Sequence, residues 1–468
     1  MDAQVLLDKL DSDEGKRLLA SLYGSAEVEA ARCRYAALVR GMLHWPEKPP
    51  RGKPGETPPD PSLGLAPGVS AGEFRVFTAA GRTELGGNHT DHNRGKVLAA
   101  SIQLDSAAVA APRRDKTVIF RSTGYPDVTV DLAAGLSPRQ EERGTTEALV
   151  RGIAAEFAAR GVEPGGFTAN ADSTVLSGSG LSSSAAVEVL FGRIFDGLYG
   201  GGKCSALEIA RIGQRAENNY FGKPSGLMDQ TACASGGAVS IDFADAARPL
   251  VKELPFDPAG LGYSLCVVDT RGSHADLTPD YAAIPAEMHA VARFFGRQVL
   301  RETSREELLS RIGELRQALG DRAVLRSLHF FEENRRVEAM ERALKIMETS
   351  PAKEKEQAMK DYLELVNESG HSSWELLQNV YSPQKARDQG ISLALALSRD
   401  FLKKRQTAPG GKPPGACRVH GGGFAGTIQA YIPLEQLAPY RALMEGTFGP
   451  GALTELRIRP IGSAELAF

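Results

Sequence analysis

Apolar residues recur along this chain with two periods, and the switches between them mark out the elements. In residues 6–39 the spacing is helical, with Leu18, Leu19 and Leu22 on one face and Val28, Ala31, Tyr35 and Leu38 on another. A break at Tyr23-Gly24 therefore predicts two helices. From residue 74 to about 130 the pattern becomes short β-branched runs, F-R-V-F-T-A-A, V-L-A-A-S-I, V-I-F-R-S-T and D-V-T-V-D-L, which predict strands. Residues 139–159 predict a helix, with Leu149, Ile153 and Phe157 at i, i+4 and i+8, and 167–175 predict a strand. A helix follows over 182–199, striped by Val187, Leu190, Phe191, Ile194 and Leu198, and another over 206–220. Strands are predicted at 238–243 and 265–269, and a largely helical region at 281–366. The Glu-Arg and Glu-Lys pairs at i, i+4 in that region are the mark of a solvated face. A glycine-rich turn opens into T-I-Q-A-Y-I at 427–432.

Between the first helices and the first strand, residues 46–67 are proline-rich with few large apolar side chains, which predicts a linker or an extended wrap. The 468 residues divide into a helical extension at 1–45, this linker at 46–71, and two lobes at 72–245 and 246–468. A net charge of -3 without a basic patch argues against nucleic acid or an anionic membrane as partner. No apolar run reaches the roughly 18 residues of a membrane span, and the opening M-D-A-Q-V-L-L-D-K-L-D carries acid where a secretory signal needs base. Five scattered cysteines, Cys33, Cys204, Cys233, Cys266 and Cys417, fit small buried residues in a reducing compartment, and a cytoplasmic protein is expected.

Two stretches concentrate chemistry. Residues 81–95, G-R-T-E-L-G-G-N-H-T-D-H-N-R-G, spend four glycines on irregular backbone and surround them with charged and amide side chains. Held between two strands, such a segment can aim side chains, though a solvated hairpin connection has the same composition. Residues 178–186, G-S-G-L-S-S-S-A-A, stand between a strand and a helix. Small residues there let backbone amides and the helix dipole meet an anion, and the serines can ligate a metal or a phosphate oxygen. A serine-capped helix after a flexible loop is the plainer reading. The stretch fits neither G-x-x-x-x-G-K-[ST] nor G-x-G-x-x-G. His274 and His420 have no ligand spacing and are read as structural.

Together with G-G-G-F-A-G at 421–426, these stretches resemble the three signature motifs of the GHMP small-molecule kinases, and most specifically the galactokinases, whose first motif reads G-R-x-N-x-x-G-E-H-T-D-Y-N-x-G. The similarity runs from about Val76 to Pro433. It implies a two-lobed α+β GHMP kinase fold, with a mixed-sheet N-terminal lobe and an α/β C-terminal lobe, here carrying an extra N-terminal helical segment. It implies transfer of the γ-phosphoryl group of ATP to a sugar, with Mg²⁺. By the same resemblance Arg82 and Asp229 are the catalytic pair. Asn88, His89, Thr90, Asp91, Gly226 and Tyr281 are sugar contacts, and Ser122, Gly178, Ser179, Gly180, Leu181, Ser182, Ser183 and Ser184 bind the nucleotide. Ser184 and Glu217, the latter in A-E-N-N-Y-F-G, are the metal ligands.

The chain departs from the motif where the sugar would sit. Glu84 stands at the family's asparagine, Asn88 at its glutamate, and His92 at its tyrosine. If the side chains of Glu84 and Asn88 meet, the exchange keeps one acid and one amide around the same hydroxyl; otherwise the sugar differs at that end. Residues 280–288 lack the arginines that usually follow Tyr281, and N-E-S-G-H-S-S-W at 367–374 carries an extra glycine. A kinase for arabinose, glucuronate or N-acetylgalactosamine, or a non-catalytic sugar and nucleotide sensor, are the alternatives to a galactose kinase.

Overall fold

The computed structural model describes residues 1–45, 68–69, 73–176, 180–273, 277–404 and 414–468. The proline-rich run at 46–67, and Gly178, Ser179 and His274, lie outside them. The chain begins with helices α1 (Ala3–Asp11), α2 (Asp13–Tyr23) and α3 (Val28–Leu43). The expected break at Gly24 is present, but the first predicted helix is two. Ser12 turns the backbone to φ -69°, ψ 160° and accepts from the Gly15 amide at 3.0 Å, so it ends α1 and caps α2.

Strand β1 (Arg75–Gly86) and the 17-residue β2 (Lys96–Pro112) are longer than the apolar runs that predicted them. They are followed by β3 (Thr117–Ser122), β4 (Val128–Asp131), α4 (Thr146–Ala158), β5 (Phe167–Ser173), α5 (Ser183–Phe195), α6 (Ala206–Ala216), α7 (Met228–Ser235), β6 (Ala238–Asp242) and β7 (Leu250–Leu254). Along one edge β2 pairs with β1; along the other it pairs with β6 over 96–100 and with β5 over 106–112. The parallel β3–β5 pair makes this sheet mixed. It does not stop at residue 245: β7 extends it beyond β6, and a C-terminal strand, Ser463–Leu466, pairs with β1.

Period-2 alternation sends the two faces of this sheet to different partners. Phe77, Ala79, Ala108 and Ala110 face α4 to α7 in the main core, whereas Val76, Ala107, Val109 and Ala111 face α1 to α3. The N-terminal helices therefore belong to the fold. Leu6, Leu10, Leu19, Leu22, Tyr35, Val39 and Met42 are buried on that face, each contributing on the order of 1.5–3 kcal/mol. Between the layers Asp105 takes hydrogen bonds from Tyr23 at 2.6 Å and Arg459 at 2.9 Å, and pairs with Arg34. Arg34 also reaches Asp172. Burial alone would raise the Asp105 carboxyl, but the two guanidinium groups hold it down at about 2.

The remaining elements are β8 (Tyr263–Asp269), α8 (Thr278–Phe294), α9 (Arg305–Ser310), α10 (Ile312–Leu319), α11 (Asp321–Thr349), α12 (Ala352–Ser372), α13 (Gly390–Lys403), β9 (Ala416–Val419), β10 (Thr427–Pro433), α14 (Leu437–Phe448), β11 (Leu453–Leu456) and β12, the Ser463–Leu466 strand. A four-stranded antiparallel sheet in the order β11-β8-β10-β9 carries the second core. The expected solvated face at 281–366 is corrected in α11, where His329, Glu333, Arg326, Arg336 and Glu341 are buried. Three cysteines are buried and Cys204 partly so, but Cys33 is exposed. Among the described residues no helix is long and apolar enough to cross a membrane.

Candidate active site

Residues 81–95 are half strand and half loop. Arg82 and Glu84 belong to β1, where positions two apart share a face, and the irregular part runs from Gly87 to Gly95. Thr90 closes that loop: its hydroxyl donates to the carbonyls of Gly87 at 2.9 Å and Lys96 at 2.7 Å, and its side chain is buried. Helix α11 holds the loop from the other lobe. Glu333 accepts from the Gly87 amide at 3.0 Å, His329 Nε2 donates to the Asn88 carbonyl at 2.9 Å, and Asn334 accepts from the Lys96 amide at 2.6 Å.

The turn between β9 and β10 presses against the same loop. Asn88 donates to Gly421 O at 2.7 Å, His89 Nε2 to Gly422 O at 3.0 Å, and Tyr281 Oη to Gly423 O at 3.0 Å. His89 and Arg94 in the first glycine-rich segment, Ser182 in the second and Phe424 in the third hold a left-handed backbone at φ 58–59°. Non-glycine residues in that region are strained, and such strain gathers at sites the surroundings over-determine. Because a carbonyl only accepts, His89 Nε2 carries the proton and Nδ1 presents a lone pair. Burial, with His92 nearby and against the Gly422 bond, lowers His89 to about 4, so the ring is neutral at pH 7.

Arg82 ties the strand to the serine loop. Its backbone amide donates to Leu181 O at 3.1 Å, its guanidinium reaches Gly180 O, and it pairs with Asp229 Oδ1 at 2.8 Å. Asp229, in the first turn of α7, takes its other bond from Ser182 Oγ at 2.6 Å. Burial pushes its carboxyl up, but Arg82 and Ser182 outweigh burial and hold it below the usual carboxylate range.

Glu217 opens a π-helical turn, Glu217–Phe221, at the end of α6. Such turns gather at functional positions. Its two oxygens are engaged, Oε1 by Lys223 at 2.8 Å and Oε2 by Gln230 at 2.9 Å. Gln230 also donates to Glu188 at 2.9 Å. Burial, and the Glu217 carboxylate beside it, push the Glu188 carboxyl well above its ordinary value.

These groups converge on a cavity of about 800 Å³ between the lobes. Arg82, Asn88, His89, Asp91, Ser184, Glu217, Gly226, Asp229 and Tyr281, all expected there, line it. Asp91 and Gly226 are in close contact: a Cβ on Gly226 would lie 2.1 Å from Asp91 Oδ2. Six of the expected site residues that are described, Thr90, Ser122, Gly180, Leu181, Ser182 and Ser183, are not on the cavity wall. Thr90 is spent on the loop, and Leu181 is in the core. Ser183 opens α5, half-buried, and Ser122 ends β3 opposite Ala171. Gly180 lies at the serine loop, with Arg82 on its carbonyl. His420 is buried between Thr83 at 3.0 Å and Thr427 at 3.1 Å, in keeping with a structural role.

Glu84 and Asn88 do meet. Asn88 Nδ2 lies 3.1 Å from Glu84 Oε1, and Asn379 Nδ2 donates to Asn88 Oδ1 at 2.8 Å. Glu84 also pairs with Arg418, both side chains being buried. Sequence reasoning passed over Arg418, Asn379, Glu188 and Gln230; Lys223 it sets near Glu217 as a surface ion-pair partner, and that pair forms. The proximity of K-P-S to A-E-N-N-Y-F-G was the one local signal for Lys223.

The fold and this cleft define a class. Residues 148–237 match the model of the GHMP kinases N terminal domain. Solved structures agree, among them the mevalonate kinase of Methanococcus jannaschii, with a TM-score of 0.55 at 14% identity, covering 83% of this chain and 99% of that one. Within the class, residues 68–112 match the galactokinase galactose-binding signature. Galactokinase from Glaesserella parasuis is 31% identical over 383 residues, 80% of this chain and 89% of its own length. That of Streptomyces coelicolor is 35% identical over 269 residues, 56% and 67% respectively. The crystal structure of Lactococcus lactis galactokinase complexed with galactose superposes with a TM-score of 0.68 at 23% identity, over 84% of this chain and 96% of that one. The chain belongs to the galactokinase family.

Proposed function

We propose that this protein transfers the γ-phosphoryl group of ATP to O1 of galactose. One observation carries the reading: Arg82 bridges Gly180 of the serine loop and Asp229, so the group that would meet the phosphate and the group that would meet the sugar hydroxyl are held as a unit. Phosphoryl transfer asks mainly for position and charge neutralisation, and a buried guanidinium at the loop supplies both. Asp229, ionised and already paired, is a weak base at pH 7. Its contribution is to orient the sugar hydroxyl and to accept its proton late, once the phosphoryl group has begun to move. Asp91, packed on Gly226, and the His89 Nδ1 lone pair offer acceptors to other hydroxyls. Tyr281, bonded to Gly423 and set edge-on to Phe424 at 5.4 Å, lines the same wall.

The residues around Glu217 suit a hard cation. The donors are oxygens, the Ser184 hydroxyl and the Glu217 carboxylate share the cavity, and Gln230 Oε1 and Glu188 Oε1 are buried without a hydrogen-bond partner. With one carboxylate and one hydroxyl on the protein's side, the phosphates of the nucleotide would complete the oxygen shell of Mg²⁺. Ser184 and Glu217 would hold it, and it would supply charge neutralisation to the phosphate chain. ATP consumption suits the cytoplasm.

The test is sugar 1-phosphate formation from Mg-ATP with galactose, arabinose, glucuronate and N-acetylgalactosamine. The expected result is a preference for galactose of about tenfold or more in kcat/KM, and loss of turnover with retained ATP binding in Asp229→Ala. A smaller preference overturns the sugar assignment. No product from any of the four would replace the kinase with a sensor of sugar and nucleotide.

A further inference from the structure

Lys223 is a cation in the cleft for which the catalytic scheme above has no use. Its backbone is fixed on Glu217: the amides of Gly222 and Lys223 both donate to Glu217 O, at 2.9 and 3.2 Å, and Gly222 makes the turn at φ 87°. The side chain returns to the same residue, with Nζ 2.8 Å from Glu217 Oε1. The two ends of this pair differ in freedom. Glu217 is buried and pinned from behind by Gln230, while the Lys223 side chain is 59% exposed on the cavity wall it shares with Arg82, Ser184 and Asp229.

Charge counting says what the ammonium is for. Among the carboxylates of this wall Glu84 is matched by Arg418, Asp229 by Arg82 and Glu217 by Lys223, and Asp91 lies 3.7 Å from His92. A magnesium nucleotide brings net negative charge, and its cation needs the Glu217 carboxylate. Lys223 is then left without a partner, on a flexible stem, beside the phosphates. We propose that Lys223 is a phosphate-binding residue of this kinase: it acts as counter-ion to Glu217 in the nucleotide-free protein and turns to the phosphate chain when Mg-ATP binds. The inference rests on the reading of Ser184 and Glu217 as the metal ligands. It needs no bond making or breaking, only a rotation of the lysine stem.

The test uses the full chain with Lys223→Met, which keeps the stem, and Lys223→Arg, which keeps the charge. Mg-ATP binding is measured by calorimetry without sugar, and Mn²⁺ binding to the nucleotide-free protein by electron paramagnetic resonance. Losing one charged phosphate contact should weaken Mg-ATP about tenfold in the methionine variant, with the arginine variant within about threefold of the parent. Losing the competing cation should tighten Mn²⁺ severalfold in the methionine variant alone. Unchanged Mg-ATP affinity, or unchanged Mn²⁺ affinity, in Lys223→Met overturns the proposal. Unaltered thermal unfolding of both variants shows that the fold is not the cause. Neither readout depends on turnover, so a failure of the galactose assignment would show separately in the sugar panel.

Discussion

The exchange of acid and amide between positions 84 and 88 can be tested by reversing it. Glu84→Asn removes the acidic partner of Arg418, whose side chain is fully buried and whose NH1 has no hydrogen-bond partner. Leaving one member of a buried pair alone costs about 3–5 kcal/mol. Asn88→Glu alone puts a second carboxylate where Asn88 Nδ2 now lies 3.1 Å from Glu84 Oε1. Two negative charges at that separation repel by about 5 kcal/mol at an effective dielectric of 20, a cost the site relieves by keeping a proton. The double variant has one acid and one amide again. Asn379, now a donor to Asn88 Oδ1, donates equally well to a carboxylate. Recovery stays incomplete, because Gly421 O accepts from Asn88 at 2.7 Å and loses that donor. The expected coupling between the two substitutions, from urea unfolding of the four proteins, is about 2 kcal/mol or more in the restoring direction. The double variant should also keep the parent's order of preference across the sugar panel. If its destabilisation equals the sum of the singles within about 0.5 kcal/mol, the two side chains do not act as a unit and the exchange argument fails.

Two further outcomes follow from single contacts. Gly226→Ala forces Asp91 Oδ2 from its place, since the new Cβ would stand 2.1 Å away; the sugar KM should rise about tenfold or more with the ATP KM little changed, and equal changes in both would refute Asp91 as a sugar contact. Asp105 is held at about 2 against an ordinary 3.8, so its contribution is full above pH 4 and is lost as pH falls from 4 to 2, a loss of about 2–3 kcal/mol. Asp105→Asn should therefore be less stable by about 3 kcal/mol at pH 7 and show a shallower acid limb in thermal unfolding between pH 5 and 2; an unchanged limb would show that the network does not anchor the N-terminal helices.

What the sequence made legible and what it hid differ by the range of the interaction. The motifs at 81–95, 178–186 and 421–426 are local, and the family resemblance they carry, with A-E-N-N-Y-F-G and G-L-M-D-Q matched to the same family, was enough to bring Arg82, Asp229 and Glu217 together as cleft residues. Strand β1 was cut short in the reading because its second half, R-T-E-L-G, is polar yet buried on both faces. A polar run of that kind has the composition of a loop, and only its partners reveal it as a strand. Helix α11 was misread for the same reason. A charged residue paired inside looks, in periodicity, like one solvated outside, and Glu333 and His329 are known as supports of the loop only through Gly87 and Asn88. The pairs that shape the sugar end are the most remote. Glu84 meets Arg418 across 334 positions, Asn88 meets Asn379 across 291, and Gly87 meets Glu333 across 246. The loop lies where the lobes join, so apart from Thr90 and the Glu84–Asn88 contact the side chains that fix its shape come from distant stretches. The class of reaction is therefore written in short motifs, while the partners that hold Glu84 and Asn88 in place are contacts that no window of sequence contains.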